Sequence, residues 1–464
     1  MTGPRVVVVG GGLAGLTAAL RCADAGADVT LLEARPRLGG QTFSFARGDL
    51  LVDNGQHVFL RCCTHYLALL ERLGVRHLVT LQDRLDVPIV DVRTGTRHRL
   101  RRNGLPAPLH LARSVLGYRA LSPVQRLRLV RALRALLRVD AAASDDISFG
   151  EWLREHGQDA RTTEAVWDLI GVATLNAHAD DAALSLAATV FQLGLLTDSA
   201  AGDLGWARVP LQRLHGDPAA AELAAQGAQV RLGAKVESLT EGWTVRLRGG
   251  EELAADAVIL AVPPAAAERL LPTGATALPP GWSARLGTAP ILNVHVVYDR
   301  PVMDEPFVAG LGSVLPWVFD CTEQLGIGAG QAITVPVSAA QAVIDLPAAE
   351  LRAQAQAALA VLLPRTRVAE VLDFFVTRER EATFRPAPGN GALRPGAVTA
   401  LPGLLLAGAW TDTGWPATME GAVRSGDAAA AALARVATAS QVSFPPATDS
   451  GAELATRPTE GVSA

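Results

Sequence analysis

The sequence predicts an α/β protein organised on a parallel sheet, and three observations predict it. Val6-Val7-Val8-Val9 is a strand with apolar residues on both faces, Gly10, Gly12 and Gly15 follow it at GxGxxG spacing, and Leu13 to Ala25 carries the apolar periodicity of a helix. Val29 to Leu32 supplies the second strand, so the chain opens with a βαβ unit. In such a unit the first glycine permits a tight turn, the second lets the backbone approach a pyrophosphate, and the third lets helix and strand pack closely. The phosphates then meet the positive end of the helix. Glu33 ends the second strand eighteen residues beyond Gly15, where it can accept a ribose hydroxyl.

The bulk numbers bound the rest. At 464 residues and 48.5 kDa the chain exceeds what one core usually organises, so more than one domain is expected. A formal charge of -4, from 42 basic and 46 acidic residues, offers no electrostatic footprint for nucleic acid. A mean hydropathy of +0.23 with 19% charged residues leaves room for an apolar tunnel or a membrane-facing patch, alanine richness being the simpler cause. Residues 1–30 read as strand, turn and helix rather than as a signal peptide, and the long run from Ala182 to Leu196 is interrupted by Ser185, Thr189 and Gln192. A cytoplasmic protein, with peripheral membrane contact left open, is the expectation. Cys22, Cys62, Cys63 and Cys321 have no metal-ligand spacing and read as thiols, so no metal is expected.

Ala34-Arg35-Pro36-Arg37-Leu38-Gly39-Gly40-Gln41 is a turn able to offer backbone donors and a guanidinium to phosphate. Asp53-Asn54-Gly55-Gln56-His57 interrupts a strand-like run with polar groups and a glycine, as if passing close to a ligand, which makes Asp53 and His57 candidates. Residues 62–74 predict a short helix ended by Gly74, and residues 85–100 a hairpin turning at Thr94-Gly95. From Leu109 to Leu195 the pattern is helical, with Arg126, Arg128, Arg131, Arg134 and Arg138 on one face; solvation is the ordinary role of such a face and anionic lipid the alternative. Trp152 and Trp167 read as core. Pro210 to Gly227 predicts a helix, and Ala228–Leu239, Trp243–Leu247 and Ala257–Ala261 predict three strands. Leu286 to Tyr298 opens a second sheet with Gly310–Phe319 and Ala332–Val337, completed by a helix from Pro347 to Leu363 and a strand from Val371 to Val376. Leu404 to Leu406 then runs into Gly408, and a helix with Pro416 in its first turn covers Ala417 to Ala434. The Ser, Thr, Pro and Gly-rich residues 438–464 predict a disordered tail.

These motifs resemble the flavin amine oxidase and phytoene desaturase superfamily, and within it the squalene-associated desaturases known as hydroxysqualene dehydroxylases. The shared marks are Gly10 to Gly15, Glu33-Ala34-Arg35 with Gly39-Gly40, Lys235-Val236, Leu406-Ala407-Gly408 and Glu420-Gly421-Ala422-Val423-Arg424-Ser425-Gly426. The closer ones are Asp53 to His57, Thr174-Leu175-Asn176 and Gly414 to Gly421. The resemblance implies a Rossmann-like FAD-binding domain of the GR2 type, a mixed-sheet substrate domain and a helical lid subdomain. The FAD domain would be assembled from residues 1–80, 205–275 and 395–437, the substrate sheet from 81–100 and 280–394, and the lid from 101–204. It implies FAD held by Gly10, Gly12, Leu13, Ala14, Gly15, Glu33, Ala34, Arg35, Gly39, Gly40 and Gln41 at the adenosine and phosphate end. Val236 would meet adenine through its backbone, Gly408 and Asp412 would lie along the phosphate and ribityl chain, and Thr418 and Met419 would face the pyrimidine. Gln41 stands where relatives often carry arginine.

For the chemistry, the resemblance implies reductive removal of the hydroxyl of hydroxysqualene to give squalene, with hydride from reduced flavin N5 reaching an allylic carbon. A carotenoid desaturase or isomerase is the runner-up. A flavin amine oxidase loses ground because the single lysine is Lys235, whereas the strand that would carry a catalytic lysine reads Ile291-Leu292-Asn293-Val294. Release of the hydroxyl needs an acid, for which His57, Asp412 and Glu420 are candidates, with Asp53 as orienter of His57. The expected partners are a long apolar isoprenoid substrate, the membrane surface and prenyl synthases.

Overall fold

The structure, a computed structural model, describes residues 3–240 and 242–441, excepting the side chains of 436–441. Strand β1 (Arg5–Val9), helix α1 (Leu13–Asp24) and strand β2 (Asp28–Glu33) form the expected βαβ unit, with Val6 opposite Val29 and Val9 opposite Leu32 in a parallel ladder. The four valines alternate between two cores. Val6 and Val8 pack with α1, and Val7 and Val9 pack on the opposite face, which is why both faces had to be apolar.

Strands from distant parts of the chain complete this sheet. Its order is Gln229–Leu232, β2, β1, Ala257–Leu260, Leu404–Leu406, parallel throughout. The terminal helix, Met419–Gln441, lies against α1 so closely that a Cβ on Gly426 would stand 2.4 Å from the Ala14 carbonyl oxygen. A seven-stranded sheet forms the other half of the molecule. It runs Val371–Phe384, Thr288–Tyr298, Gln331–Val337, Trp317–Asp320, Phe307–Leu311, Asp86–Asp91, Thr96–Arg101, and is antiparallel except where Phe307–Leu311 meets Asp86–Asp91.

Three expected elements are corrected. Ala228–Leu239 is not one strand: Gly233, at φ +70°, breaks it, so Gln229–Leu232 joins the parallel sheet while Val236–Thr240 starts an antiparallel meander. Gly312, at φ +75°, likewise turns the chain between Phe307–Leu311 and Trp317–Asp320. Pro416 lies outside the terminal helix, which begins at Met419 under the Thr418 hydroxyl, the acceptor of the Gly421 N–H at 3.1 Å. Residues 438–441 of the expected tail continue this helix, and 442–464 lie outside the described residues.

Between the two sheets the chain is helical. Helix α2 (Thr64–Arg72) precedes the hairpin of Asp86–Asp91 and Thr96–Arg101; α3 (Ala112–Gly117) and α4 (Pro123–Leu136) follow it, the latter opened by a reciprocal Ser122–Gln125 capping box. Trp167 is fully buried against Phe149 and Phe191, with Trp152 beside them, as core positions require. Asp203 ties this region to its neighbours. Its fully buried carboxylate accepts from Arg61 Nε at 2.9 Å, Arg102 Nε at 2.7 Å and the Leu85 N–H at 2.6 Å. Asp203→Ala leaves two guanidinium groups and a buried N–H without their acceptor. We expect it to lower the unfolding free energy by about 3 kcal/mol in chemical denaturation.

Candidate active site

Gly10, Gly12 and Gly15 are glycines for different reasons. A Cβ on Gly15 would lie 1.9 Å from the Gly10 oxygen, and one on Gly10, at φ +110°, 2.3 Å from the Ala261 oxygen, so the protein's own packing demands both. Gly12 has ordinary extended dihedrals (φ −79°, ψ 177°) and a Cβ there would touch only Gly40 Cα, at 3.5 Å. Nothing in the protein forbids a side chain at Gly12, so the bare backbone serves something outside it. That open face at the N-terminus of α1 fits a pyrophosphate. Leu13 and Ala14 are the first helical residues behind it.

Gly39 and Gly40, both at positive φ, bring the next turn onto this one: Gly39 N–H donates to the Gly11 oxygen at 2.9 Å. Glu33 accepts from the Gly11 N–H at 2.6 Å and the Arg35 N–H at 2.8 Å, one on each carboxylate oxygen, and each oxygen keeps a lone pair for a hydroxyl. Ala34, Arg35 and Gln41 are exposed, Gln41 donating to the Glu381 oxygen at 3.2 Å. The strand of Val236 starts two residues after Ala234, whose N–H donates to the Glu33 backbone carbonyl at 2.9 Å. The residues expected at the adenosine end are therefore together.

The far end is built from the loop after Leu404–Leu406. Gly408 (φ +142°) donates to Ser425 Oγ at 2.8 Å, and a Cβ there would collide with Trp410 Nε1 at 2.4 Å. Arg394, which the sequence reading missed, holds this loop in place from below. Its buried guanidinium donates to the carbonyls of Trp410, Thr411 and Trp415 at 3.2, 2.8 and 2.8 Å and lies over the Phe384 ring. Nothing in Leu393-Arg394-Pro395 distinguishes it from a solvated loop arginine. Thr418 and Met419 are partly buried at the start of the terminal helix.

The acid candidates separate sharply. Asp53 does not orient His57: its buried carboxylate accepts from Ser44 Oγ at 2.5 Å, Leu211 N–H at 2.9 Å and Gln324 Nε2 at 2.5 Å. Burial pushes its pKa up to about 7 against these three donors. Glu420 is wholly buried, capping α2 through the N–H groups of His65 and Tyr66 at 3.2 and 2.8 Å and pairing with Arg424 at 2.7 Å. Asp412 is exposed and accepts from the Gly414 N–H at 3.1 Å. His57 is partly buried, its Nδ1 3.0 Å from the Gly55 oxygen, so Nδ1 carries the hydrogen and Nε2 is uncommitted. Burial lowers its pKa below 6.5.

The loop bearing His57 is anchored to the substrate sheet. Asn293 Nδ2 and Thr377 Oγ1, on neighbouring strands, both donate to the Asn54 oxygen, at 3.1 and 2.5 Å, and a Cβ on Gly55 would lie 2.4 Å from the Asn293 amide. Asn293 thus braces the loop from within the Thr288–Tyr298 strand. Asn176, at φ +58°, ties the helical region to the same sheet through Ala289, Thr383 and Ala339. Behind the loop Tyr66 Oη meets His215 Nε2 at 2.8 Å in full burial, and burial depresses the His215 pKa to about 3. Among the described residues no His, Cys, Asp and Glu cluster could hold a metal ion.

A parallel sheet, a bare phosphate turn and two converging glycine loops define a dinucleotide-dependent oxidoreductase. Residues 13–434 match the flavin-containing amine oxidoreductase family, to which the chain belongs, and FAD is its cofactor. Within that family it is 31% identical, over 92% of its length and 97% of the relative's, to a hydroxysqualene dehydroxylase of Rhodopseudomonas palustris. It is 25% identical to a zeta-carotene desaturase of Zea mays, covering 91% of this chain and 82% of that one. Putrescine oxidase bound to putrescine superposes with a TM-score of 0.69 over 93% of this chain and 99% of its own; at 21% identity this is a likeness of fold.

Two outcomes follow from the site. Gly12→Ala is expected to lower bound flavin at least tenfold with the unfolding free energy changed by less than about 1 kcal/mol, whereas Gly15→Ala destabilises the fold itself, as flavin absorbance and denaturation will distinguish. The Asp53 pKa is raised in the fold, so the folded state binds the extra proton and stability is lost as pH rises from about 4 to about 7. Asp53→Asn should remove that slope, making the variant more stable than the wild type at pH 8 relative to pH 4 by a few kcal/mol at most.

Proposed function

We propose that this enzyme removes the hydroxyl of hydroxysqualene reductively, giving squalene. The observation that carries the reading is the similarity to hydroxysqualene dehydroxylase along nearly the whole of both chains. The residues agree with it, since the strand that would carry an amine oxidase's lysine has none and the single lysine, Lys235, is exposed at the meander. In the reaction the allylic C–O bond breaks as its oxygen takes a proton and leaves as water, a C–H bond forms, and the substrate gains two electrons. The chemistry FAD supplies when bound and reduced is the hydride for that carbon.

Gly10, Gly12, Gly15, Gly39 and Gly40 would hold the phosphates, Glu33 the ribose, Val236 the adenine, and the 408–419 loop the flavin end. We assign the proton to His57. Of the three acid candidates it alone combines partial burial with an uncommitted ring nitrogen, Glu420 being spent on architecture and Asp412 exposed, while Asp53, expected to orient His57, is engaged elsewhere. The clamp of Asn293 and Thr377 on Asn54 keeps the His57 loop in one position, and Gly55 fixes the ring's tautomer. The substrate dissolves in lipid, so we place the enzyme in the cytoplasm, against the inner membrane face and beside the prenyl synthases that make that substrate. No helix among the described residues is long and apolar enough to cross a membrane.

The similarity to a zeta-carotene desaturase favours one second reading, oxidation of a carotenoid at the same site. The two separate under anaerobic conditions. Photoreduced protein mixed with hydroxysqualene is expected to reoxidise and yield squalene; neither event occurring overturns the dehydroxylase reading, and bleaching of the oxidised protein by phytoene establishes the other. His57→Ala should lower kcat by about 10² to 10⁴. Because its imidazolium is the acid and burial lowers its pKa, wild-type activity should fall as pH rises through a value below 6.5, and full turnover by the variant removes His57 from the mechanism.

A further inference from the structure

Residues 92–139 contain twelve arginines and neither aspartate nor glutamate, in a chain whose formal charge is -4. Of those near the hairpin, four are neutralised from outside the stretch, Arg93 by Glu164, Arg99 by Asp86 and Glu305, Arg101 by Asp86 and Arg102 by Asp203, while Arg97 is exposed. Arg126 turns inward to the carbonyls of Leu116 and Leu121. Arg113, Arg119, Arg128, Arg131, Arg134 and Arg138 are exposed and, among the described residues, make no ion pair; Asp159 is the acid close enough to Arg128 to feel its charge.

The same surface carries five of the thirteen exposed large apolar side chains: Leu105, Leu109, Leu116, Val124 and Leu127, between 50% and 67% exposed. They occupy one compact unit. Asn103 N–H bonds to the His110 oxygen at 2.8 Å and Asn103 Oδ1 takes the Leu105 N–H at 2.8 Å, closing the loop that presents Leu105 and Leu109. Arg126 fastens the end of α3, with Leu116, to the first turn of α4, whose start the capping box fixes. Along α4, Leu129, Ala132 and Leu136 face the core. The opposite face begins with Val124 and Leu127 and continues with Arg128, Arg131 and Arg134. A face built only for solvation needs its arginines but not these aliphatics, which cost free energy in water.

We propose that this surface docks on an anionic lipid bilayer, the aliphatic side chains entering the interface and the arginines reaching headgroup phosphates. Charge complementarity selects the occupant: the unpaired guanidinium groups meet anionic lipid with no carboxylate of the same stretch to repel it. Arginine stems also lie along apolar surface while their heads stay in the polar layer. The inference deepens the proposed function, whose substrate dissolves in lipid, and rests on it only for the purpose of docking.

Co-sedimentation of the flavin-loaded protein with vesicles tests it without substrate. We expect partition onto vesicles of phosphatidylglycerol and phosphatidylcholine at least tenfold above phosphatidylcholine alone, weakening as salt rises to about 0.5 M. The triple change Arg128→Gln, Arg131→Gln, Arg134→Gln should reduce that partition at least tenfold, and Leu116→Ser with Leu127→Ser by a similar factor. Both variants should keep the flavin spectrum and the turnover of detergent-dispersed hydroxysqualene. Wild type that stays in solution, binds both vesicles equally, or binds no better than either variant overturns the proposal. Vesicle binding without any squalene formed overturns the dehydroxylase reading and leaves the docking surface standing.

Discussion

Two backbones meet without side chains at the centre of this molecule, and most of its architecture depends on their contact. A Cβ on Gly40 would lie 2.7 Å from Gly12 Cα, closer than any real pair, so the turns after β1 and β2 interlock only because Gly40 is bare. The interlock passes the Gly11 N–H to Glu33 and the Gly39 N–H to Gly11, fixing the acid that ends β2 beside the turn that ends β1. It also launches the chain from Gly40 toward the seven-stranded sheet, where Gln41 and Asn54 are bonded to residues of its edge strand. Cofactor end and reaction end are thereby set by one close approach.

From there the structure spends its buried charges on position. Asp203 gathers a strand, a loop and two arginines, Glu420 joins the terminal helix to α2, and Arg394 pins the loop after Gly408. Each such group is costly to bury and repaid only by complete pairing. The result is a framework in which Asp53 and Glu420 are already engaged, while His57 keeps an uncommitted ring nitrogen. A single engaged amide, Asn293, braces the Asn54 carbonyl from a strand that contains no lysine.

Features governed by local backbone physics were legible in the sequence. The βαβ turn, the double glycine, the buried strand before Gly408 and the hairpin at Thr94-Gly95 each follow from short-range rules on glycine, β-branching and periodicity. Gly233 and Gly312 carried the same kind of signal, and the apolar runs around them masked it. The roles of Asp53, Glu420, Asn293, Thr377 and Arg394 were illegible for a different reason: their partners are supplied by other segments through long-range contacts, so the residue type alone does not distinguish a hub from a catalyst. Asp53 and Glu420 were accordingly expected at the chemistry and stand in the framework.

The central claim is that this flavoenzyme delivers a hydride to the carbon that loses its hydroxyl. Turnover of hydroxysqualene in D2O addresses it directly, because the transferable hydrogen of reduced flavin exchanges with solvent. The account predicts squalene bearing one deuterium at the former carbinol carbon. Squalene without deuterium at that carbon, or no squalene at all, would contradict it.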